Sequence, residues 1–455
     1  MRGFTISDAA AACGGRISCA SFENTELGRI VIDSRKVGPG DLFVAFKGER
    51  VDGHAYISSA LDKGAACCLA ERLPEGETRP VLLVPDVQQA LERIAAAYRQ
   101  RLALPIVGIT GSVGKTTAKE MISAVLSSRF SVLKTEGNLN NRIGVPITLS
   151  RIGPEHQAAV VEMGISGFGE MRALARMARP TIGVFTVIGH AHLEFLHDLE
   201  GVLRAKTEML EFMPDDAVIV VNGDDPRLDG FPCRQRKFRV GFGPHCDLRA
   251  EEIRMTEDGG SSCVLLYEGR RIPATIPAFG RHVVYAAMEG AAVGMLLGLS
   301  DEEIVHGLSR FENVGHRAAL ADTGFLHLID DSYNANPDST KCGIDSLMEL
   351  PGRHICILGD MLELGERSPE MHEEVGRYAA DKGADAVWSY GALGEAFCRG
   401  AGEKGHVFAS REELLSRLPL LLRRGDSVLV KASKGMRFWE IADAIRELNA
   451  GTPHD

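Results

Sequence analysis

Short apolar runs alternate with helix-length segments along most of the chain. Within the first hundred residues these runs cover 29–32, 42–46 and 81–84. The later runs cover 105–109, 158–161, 182–187 and 217–221 and then, after residue 313, 327–329, 355–358, 386–389 and 427–430. Runs of this length, bounded by turn residues, predict buried β-strands.

Strands that are apolar throughout are typical of parallel sheets covered by helices on both faces. Because three such stretches follow one another, we predict an α/β fold with three domains, at 1–100, 101–312 and 313–455. The central domain is expected to hold a parallel sheet, and the C-terminal domain a Rossmann-like α/β arrangement. No internal repeat of about 20–50 residues is present, which excludes solenoids and propellers.

Charge and cysteine usage narrow the class of protein. The 455-residue chain carries 51 Lys and Arg against 62 Asp and Glu, so its net charge of −11 disfavours nucleic acid or membrane as a partner. No apolar run approaches the roughly 18–20 residues of a membrane span, and no secretion signal opens the sequence. The ten cysteines lack C-x-x-C spacing, which predicts reduced thiols. We expect a soluble, cytoplasmic, monomeric enzyme.

The candidate chemistry begins where the run at 105–109 enters a glycine-rich turn. The turn reads Thr110-Gly111-Ser112-Val113-Gly114-Lys115-Thr116-Thr117. Its glycines let backbone N–H groups face an anion, while Lys115 can reach the β- and γ-phosphates of a nucleotide and the Thr116 hydroxyl can bind Mg²⁺. The strict G-x-x-x-x-G-K-[ST] spacing fails because residue 109 is Ile, so a structural turn with an incidental Lys is the alternative.

Two further groups each have a functional and a plain interpretation. Glu162 follows the run at 158–161, where a carboxylate beside a phosphate loop can bind Mg²⁺; a solvated turn residue is the alternative. His190, His192 and His197 lie close together, but His-x-His without a Cys at ligand spacing is a weak zinc signal. They are interpreted either as a source of an imidazole ligand for a second metal beside ATP or as exposed loop histidines.

These motifs resemble those of the Mur ligases. The loop at 110–117 fits the family pattern T-G-[ST]-x-G-K-T-[ST], which explains the failed spacing. One branch of the family, the branch that adds D-alanyl-D-alanine, is the most similar. The other matching strings lie at 33–35, 43–48, 52–54, 138–146, 330–337 and 358–365. The resemblance therefore extends over nearly the whole chain.

The resemblance implies an activity and a division of labour among the domains. The N-terminal domain would bind the UDP-sugar, the central P-loop ATPase domain would bind ATP with two Mg²⁺ ions, and the C-terminal domain would bind the incoming dipeptide and close over ATP. The substrates would be UDP-N-acetylmuramoyl-tripeptide and D-alanyl-D-alanine. The tripeptide carboxylate would attack the γ-phosphate to give an acyl phosphate and ADP, and the dipeptide amine would then displace phosphate.

The resemblance also assigns roles to individual residues. Lys115, His192 and Lys206 would be catalytic, and Lys206 would carry a carbamate. The metal ligands would be Thr116, Glu162, His192 and Lys206. By itself, a lysine in a helical segment such as Lys206 would be a solvated surface residue.

Binding residues are implied in all three domains. Arg317 and Asp331 fall where the C-terminal domain of the family reaches over the nucleotide. Such contacts form only on domain closure, which also excludes water from the acyl phosphate. The expected substrate-binding residues are Ser34, Arg35, Lys47, Asn138, Asn141, Tyr333, Asn334 and Asn336.

The chain departs from the family pattern at three positions. Val187 stands where the family commonly has Asn. Val283 and Ala286 replace two asparagines, one of which usually faces adenine in the family. Because an apolar lining leaves no polar group unpaired against a wrong base, these changes predict weaker discrimination among purine nucleotides.

Several alternatives stay open. The Mur ligase that adds the third, diamino residue has an Asp-Asn-Pro-Arg tetrad, and the similar string at 224–227 lies in the middle region instead. A folylpolyglutamate-type ligase shares the phosphate loop but not the string at 330–337. A P-loop kinase or nucleotide switch would not need a third domain with its own motifs. The sequence leaves open whether the tripeptide ends in meso-diaminopimelate or lysine.

Overall fold

The computed structural model describes residues 1–49, 51–256 and 258–448, which form three β-sheets. The first sheet has the strand order β1-β5-β4-β3-β2, and only its β1–β5 pair is antiparallel. Its strands are β1 (Arg16–Ile17), β2 (Ile30–Val31), β3 (Leu42–Val44), β4 (Cys67–Ala70) and β5 (Val81–Leu83). The helices of this region are α1 (Ile6–Cys13), α2 (Ile57–Asp62) and α3 (Val87–Gln100).

Helix α3 attaches this first region to the middle one. The Asp86 carboxylate caps it by accepting a hydrogen bond from the Gln89 amide. Apolar residues at helical spacing bury one face of α3. Near its C-terminal end the Tyr98 hydroxyl donates to the carbonyl oxygen of Ile152 at 2.5 Å, and the Arg99 guanidinium donates to that of Ala178 at 2.7 Å.

The middle sheet has nine strands in the order β14-β13-β12-β11-β10-β9-β6-β8-β7. They are β6 (Ile106–Thr110), β7 (Val132–Lys134), β8 (Ala158–Glu162), β9 (Ile182–Phe185), β10 (Val218–Asn222), β11 (Arg236–Gly241), β12 (Leu248–Met255), β13 (Ser261–Tyr267) and β14 (Arg270–Ile276). The helices are α4 (Lys115–Leu126), α5 (Gly144–Ser150), α6 (Glu170–Ala178), α7 (Leu193–Leu196), α8 (Leu199–Thr207), α9 (Pro226–Gly230), α10 (Arg281–Leu296) and α11 (Asp301–Ser309).

The C-terminal sheet has six strands in the order β15-β16-β20-β17-β18-β19, and only its β15–β16 pair is antiparallel. They are β15 (Ala319–Asp322), β16 (His327–Asp330), β17 (His354–Gly359), β18 (Ala386–Tyr390), β19 (Gly405–Val407) and β20 (Ser427–Lys431). The helices are α12 (Pro337–Leu347), α13 (Ser368–Lys382), α14 (Gly394–Ala401), α15 (Arg411–Leu421) and α16 (Trp439–Arg446).

The predicted α/β fold with parallel sheets is confirmed, but the sheets are more mixed than the sequence indicated. Strands β12, β13 and β14 form an antiparallel extension of the middle sheet. Along β14, Ile272, Ala274 and Ile276 are buried while Pro273 and Thr275 are exposed. This alternation is typical of an antiparallel sheet with one face in solvent, and no continuous apolar run marks it in the sequence.

The fold brings the middle and C-terminal regions together. One apolar cluster includes Phe185 and Leu196 of the middle region and Leu358 and Met361 of the C-terminal region. The phosphate loop follows β6, whose parallel neighbours β8 and β9 end at the same edge of the sheet. Among the described residues, no helix is both long enough and apolar enough to cross a membrane.

Candidate active site

The turn after β6 has the backbone of a phosphate-binding loop. Thr110 ends the strand, and α4 begins at Lys115. Gly111 has a φ of 155°, and a Cβ there would lie 1.9 Å from the Thr186 hydroxyl oxygen. Gly114, with a φ of 84°, caps α4. Both positions therefore require glycine. The backbone N–H groups of the loop lie at the N-terminus of α4, which is the positive end of that helix.

The side chain of Lys115 folds back and contacts the loop that precedes it. Its ammonium donates to the carbonyl oxygen of Gly111 at 2.7 Å. The side chain is half-buried. Burial lowers the pKa of Lys115, and the nearby Arg317 lowers it further, while Glu162 acts in the opposite direction.

Glu162 ends β8 as a buried carboxylate, only 2% exposed, so the interpretation as a solvated turn residue is wrong. The Thr116 hydroxyl donates to Glu162 Oε2 at 3.0 Å, and the Asn140 amide donates to Oε1 at 2.9 Å. The Lys119 ammonium lies 3.8 Å from Oε2. A hydroxyl and a carboxylate side by side are hard oxygen ligands, so this pair fits Mg²⁺. Asn140 belongs to the string at 138–146 but was not singled out from the sequence.

Lys206, on α8, is buried against the same loop. It is 1% exposed, which overturns the surface interpretation, and its ammonium donates to the carbonyl oxygen of Gly111 at 3.0 Å. Burial, followed by the neighbouring charge of Lys115, lowers its pKa well below the usual lysine value. A lowered pKa increases the share of the neutral amine, which is the form that reacts with CO₂.

The histidine-rich turn contacts the C-terminal region. His192 Nδ1 lies 2.5 Å from Glu363 Oε2, which leaves Nε2 for another ligand. Metal-binding histidines commonly pair their second nitrogen with a carboxylate in this way. Burial lowers the pKa of His192, although Glu363 opposes this shift. His190 bonds to Asp338 through its backbone N–H, at 2.5 Å, and its Nδ1, at 3.0 Å, whereas His197 is exposed.

Charged and aromatic groups of the C-terminal region complete the arrangement. The Arg317 guanidinium lies 3.8 Å from the centre of the Tyr333 ring. Asp331 pairs with Lys431 and accepts a hydrogen bond from the Ala318 amide at 3.1 Å. Lys431 was missed, although a lysine that ends the apolar strand β20 is a signal the sequence contains.

Two of the predicted substrate-binding asparagines accept hydrogen bonds at the starts of helices. The Asn336 side chain accepts from the Ser339 amide at 2.8 Å and caps α12. The Asn141 side chain accepts from the Gly144 amide at 2.9 Å at the start of α5. The cap formed by Asn336 is of a kind that stabilises a helix by about 1 kcal/mol. These side-chain oxygens are therefore already bonded within the protein.

One cavity of about 690 Å³ lies between the middle and C-terminal regions. Lys206 bonds to Gly111 of the loop but is not among the residues that line this cavity. The predicted site residues that line it are Ser112, Val113, Gly114, Lys115, Thr116, Thr117, Asn138, Asn141, Glu162, His192, Arg317, Asp331, Tyr333, Asn334 and Asn336.

The predicted N-terminal residues lie outside this cavity. Arg35 forms a two-bond ion pair with Asp33, at 2.9 Å for each bond, and these bonds lower the pKa of Asp33 to about 2. The Ser34 carbonyl oxygen accepts from the Lys63 ammonium at 2.7 Å. Lys47 is exposed. These residues form a separate polar surface on the first region.

Of the three residues that depart from the family pattern, at positions 187, 283 and 286, two line the cavity and one does not. Val187 and Ala286 line it, together with Tyr285. Val283 packs into the core of the middle region, so the expectation that it forms an apolar lining is wrong. The string at 224–227 also has a structural role, because Asp225 caps α9 and accepts from the Ile188 amide at 2.9 Å.

Comparison with known proteins agrees with this geometry. The family models for the Mur ligase family catalytic domain, the Mur ligase middle domain and the Mur ligase glutamate ligase domain match residues 26–99, 109–294 and 309–434. The UDP-N-acetylmuramoyl-tripeptide–D-alanyl-D-alanine ligase of Bacillus subtilis (strain 168) is 36% identical over 97% of this chain and 98% of its own.

Solved structures with the same architecture extend the comparison. Crystal structure I of MurF from Acinetobacter baumannii has a TM-score of 0.88 and 29% identity, covering 98% of this chain and 99% of that one. MurF ligase from Thermotoga maritima, in complex with ADP, has a TM-score of 0.84 and 28% identity. The match covers 92% of this chain and 97% of that one. The phosphate loop faces a separate α/β sheet across one cavity. This arrangement defines the class of protein: it is an ATP-dependent enzyme of the P-loop type. The chain belongs to the Mur ligase family.

Proposed function

We propose that this enzyme joins D-alanyl-D-alanine to UDP-N-acetylmuramoyl-tripeptide at the expense of ATP. The observation that carries the proposal is the single cavity in which Lys115 of the phosphate loop faces Arg317 and Tyr333 of the C-terminal region. The Bacillus subtilis relative, which matches nearly from end to end, bears the name of this activity. The product is a precursor of peptidoglycan.

The first step is phosphoryl transfer. A carboxylate oxygen of the tripeptide attacks the γ-phosphorus of ATP, the bond to the β,γ-bridging oxygen breaks, and ADP leaves with that electron pair. Charge spreads over the γ-phosphoryl oxygens as the bond changes. The Lys115 ammonium and the loop amides stabilise this charge from one side, and Arg317 does so from the C-terminal side.

The donor set fits divalent cations beside the phosphates. We assign one Mg²⁺ to the Thr116 hydroxyl and the Glu162 carboxylate, and a second to His192 Nε2 and a carbamate on Lys206. When bound, these ions neutralise phosphate charge and orient the γ-phosphoryl group. Asn140 and Lys119 hold the Glu162 carboxylate in place, and Glu363 fixes the orientation of the His192 ring.

The environment of Lys206 supports the carbamate. A neutral lysine amine adds to the carbon of CO₂ and releases a proton, which converts a cationic side chain into an anion with two oxygens. An ordinary lysine, with a pKa of about 10.4, offers little free amine at neutral pH. The lowered pKa of the buried Lys206 reduces this obstacle.

The second step is amide formation. The free amine of D-alanyl-D-alanine attacks the acyl carbon, a tetrahedral intermediate forms, and phosphate leaves with the electron pair of the acyl–oxygen bond. We assign the dipeptide to the C-terminal wall near Tyr333 and Asn334, in domain 313–455. The carboxylates of Asp338 and Glu363 tie that wall to His190 and His192 and so limit the access of water to the acyl phosphate.

We assign the uridine-nucleotide end of the tripeptide substrate to domain 1–100, at Ser34, Arg35 and Lys47. Domain 101–312 then supplies ATP binding, with Asn138 and Asn141 at the junction between nucleotide and peptide substrate. The ten free thiols fit a reducing, cytoplasmic location.

The proposal is tested by phosphate release with purified components. We expect release that requires ATP, the UDP-linked tripeptide and D-alanyl-D-alanine together. Release supported by a UDP-linked dipeptide and a diamino acid would instead identify the ligase for the third residue. Release without an amine acceptor would identify a phosphotransferase or nucleotide switch. Tripeptides ending in meso-diaminopimelate and in lysine, compared in parallel, determine the accepted third residue.

A further inference from the structure

Helix α10 presents one face to the nucleotide cavity. His282, Tyr285, Ala286 and Glu289, which lie one to two turns apart, all line it. The neighbouring residue Gly290 faces the other way, because a Cβ at that position would lie 3.1 Å from Met121 of α4. Glu289 is 3% exposed, so its carboxyl group is almost entirely withdrawn from solvent yet reaches the cavity.

Glu289 differs from the other acidic residues of the cavity. Glu162 accepts from Thr116, Glu170 accepts from the Ser166 amide, Asp331 pairs with Lys431, and Asp338 pairs with His190. Among the described residues, no side chain or backbone group bonds to the Glu289 carboxyl group. Its oxygens are open to the cavity, because the described side-chain oxygens that are both fully buried and unpaired are those of Thr110 and Ser123. A carboxyl group in such a confined place is costly to leave without a hydrogen-bond partner. The missing partner is therefore expected to be a ligand.

The surroundings of Glu289 indicate which part of the ligand it meets. The cations of the cavity, Lys115, Arg317 and Lys431, lie at its phosphate-loop and C-terminal walls. Burial alone raises the pKa of Glu289 to about 8, and no cation opposes this shift, which sets this carboxyl group apart from the cationic walls of the cavity. Ala286, one turn earlier on the helix, has only a methyl group and leaves Glu289 accessible from the cavity.

We infer that Glu289 accepts a hydrogen bond from the exocyclic amino group of the adenine base of ATP. The inference rests on the proposed function only in taking ATP as the ligand of this cavity. A carboxyl group has an acceptor oxygen whether it is protonated or ionised, so the contact does not depend on its protonation state. It gives the chain a means of recognising the base that does not involve Val283 or Ala286.

The test compares ADP with purine riboside diphosphate, which lacks the amino group at position 6. Isothermal titration calorimetry measures the binding of each to the whole enzyme. We expect the wild-type protein to bind ADP about tenfold more tightly than the analogue, equivalent to about 1.4 kcal/mol. Glu289→Ala should bind both nucleotides alike, whereas Glu289→Gln, which keeps an acceptor oxygen, should retain a preference for ADP. Glu395→Ala, on the exposed face of α14, serves as a surface control.

Equal binding of the two nucleotides by the wild-type enzyme would overturn the inference even if no variant folds. A Glu289→Ala protein that keeps the full preference for ADP would also overturn it. A wild-type enzyme that binds neither nucleotide would remove ATP from the cavity and the inference with it. In contrast, an enzyme that binds ADP with the expected preference but forms no amide bond would contradict the proposed function alone.

Discussion

The ammonium group of Lys206 donates a hydrogen bond of 3.0 Å to the carbonyl oxygen of Gly111, the first residue of the phosphate loop after β6. The Lys115 ammonium donates to the same oxygen at 2.7 Å. A carbonyl oxygen has two lone pairs and can accept both bonds. The two groups lie close together in a buried site, and after burial itself the charge of Lys115 further lowers the pKa of Lys206. This contact links α8 to the chemistry of the loop.

Replacement of Lys206 tests its proposed carbamate. Lys206→Ala should be nearly inactive because the second metal site loses its anionic oxygens, and added formate or acetate should restore part of the turnover by occupying the vacated space. Phosphate release measured with and without the short acids checks this. Lys382→Ala, on the surface of α13, should behave like the wild-type enzyme in both conditions. Near-normal turnover of Lys206→Ala without added acid would return this residue to a purely structural role.

Replacement of Lys115 tests the stabilisation of transferring phosphate. Loss of a preorganised charge there should raise the activation free energy by about 3 kcal/mol or more, which lowers kcat at least about 10²-fold. The side chain is half-buried but bonds only to its own loop, so the melting temperature of Lys115→Ala should stay close to that of the wild-type protein. Steady-state kinetics and thermal unfolding measure the two effects. Retention of more than about a tenth of the turnover would contradict the role.

A methyl group at Gly111 tests the packing of the loop. Gly111→Ala should lower the melting temperature and abolish nucleotide binding because the new Cβ would lie 1.9 Å from the Thr186 hydroxyl oxygen. Gly298→Ala is the matched control, since Gly298 also has a positive φ, of 80°, but its added Cβ would have no neighbour within 4 Å. Backbone strain at such a position costs about 1–3 kcal/mol by itself. Equal destabilisation of the two variants would show that Thr186 does not constrain the loop.

The buried carboxyl group of Glu289 predicts a pH dependence of stability. Its pKa rises from 4.5 to about 8 in the folded protein, so between these values the native state binds a proton that the unfolded chain releases. This group therefore lowers the free energy of unfolding as pH rises through that window, by up to about 1.4 kcal/mol per pH unit. Glu289→Gln stays neutral and should gain stability relative to wild type between about pH 5 and about pH 8.

Denaturant unfolding of both proteins at several pH values measures this difference, and all other titrating groups cancel in it. A constant difference across the window would mean that Glu289 is ionised in the native protein. This measurement is made without nucleotide, so it is independent of the adenine contact.

The sequence by itself determined the parts of this protein that are local along the chain. The loop at 110–117 could be interpreted directly because its conformation depends on neighbouring residues alone. These are the end of a strand, two glycines and the start of a helix. The continuous apolar runs likewise predicted most strands of the parallel sheets, although β4, β7, β11 and β19 were missed. The antiparallel strands β13 and β14 were missed because they bury only alternate residues, and β12 was missed because its second half is exposed.

Only the tertiary structure decided which polar residues are buried and what they face. From the sequence, Glu162 could be either a metal ligand or a solvated turn residue. Its contact with Thr116, 46 residues earlier, excludes the solvated turn residue. Lys206 looked like a surface lysine until α8 packed it against Gly111. Val283 and Glu289 lie on one helix but face the core and the cavity respectively. Burial and pKa depend on groups brought together from distant segments, and no local pattern specifies that environment.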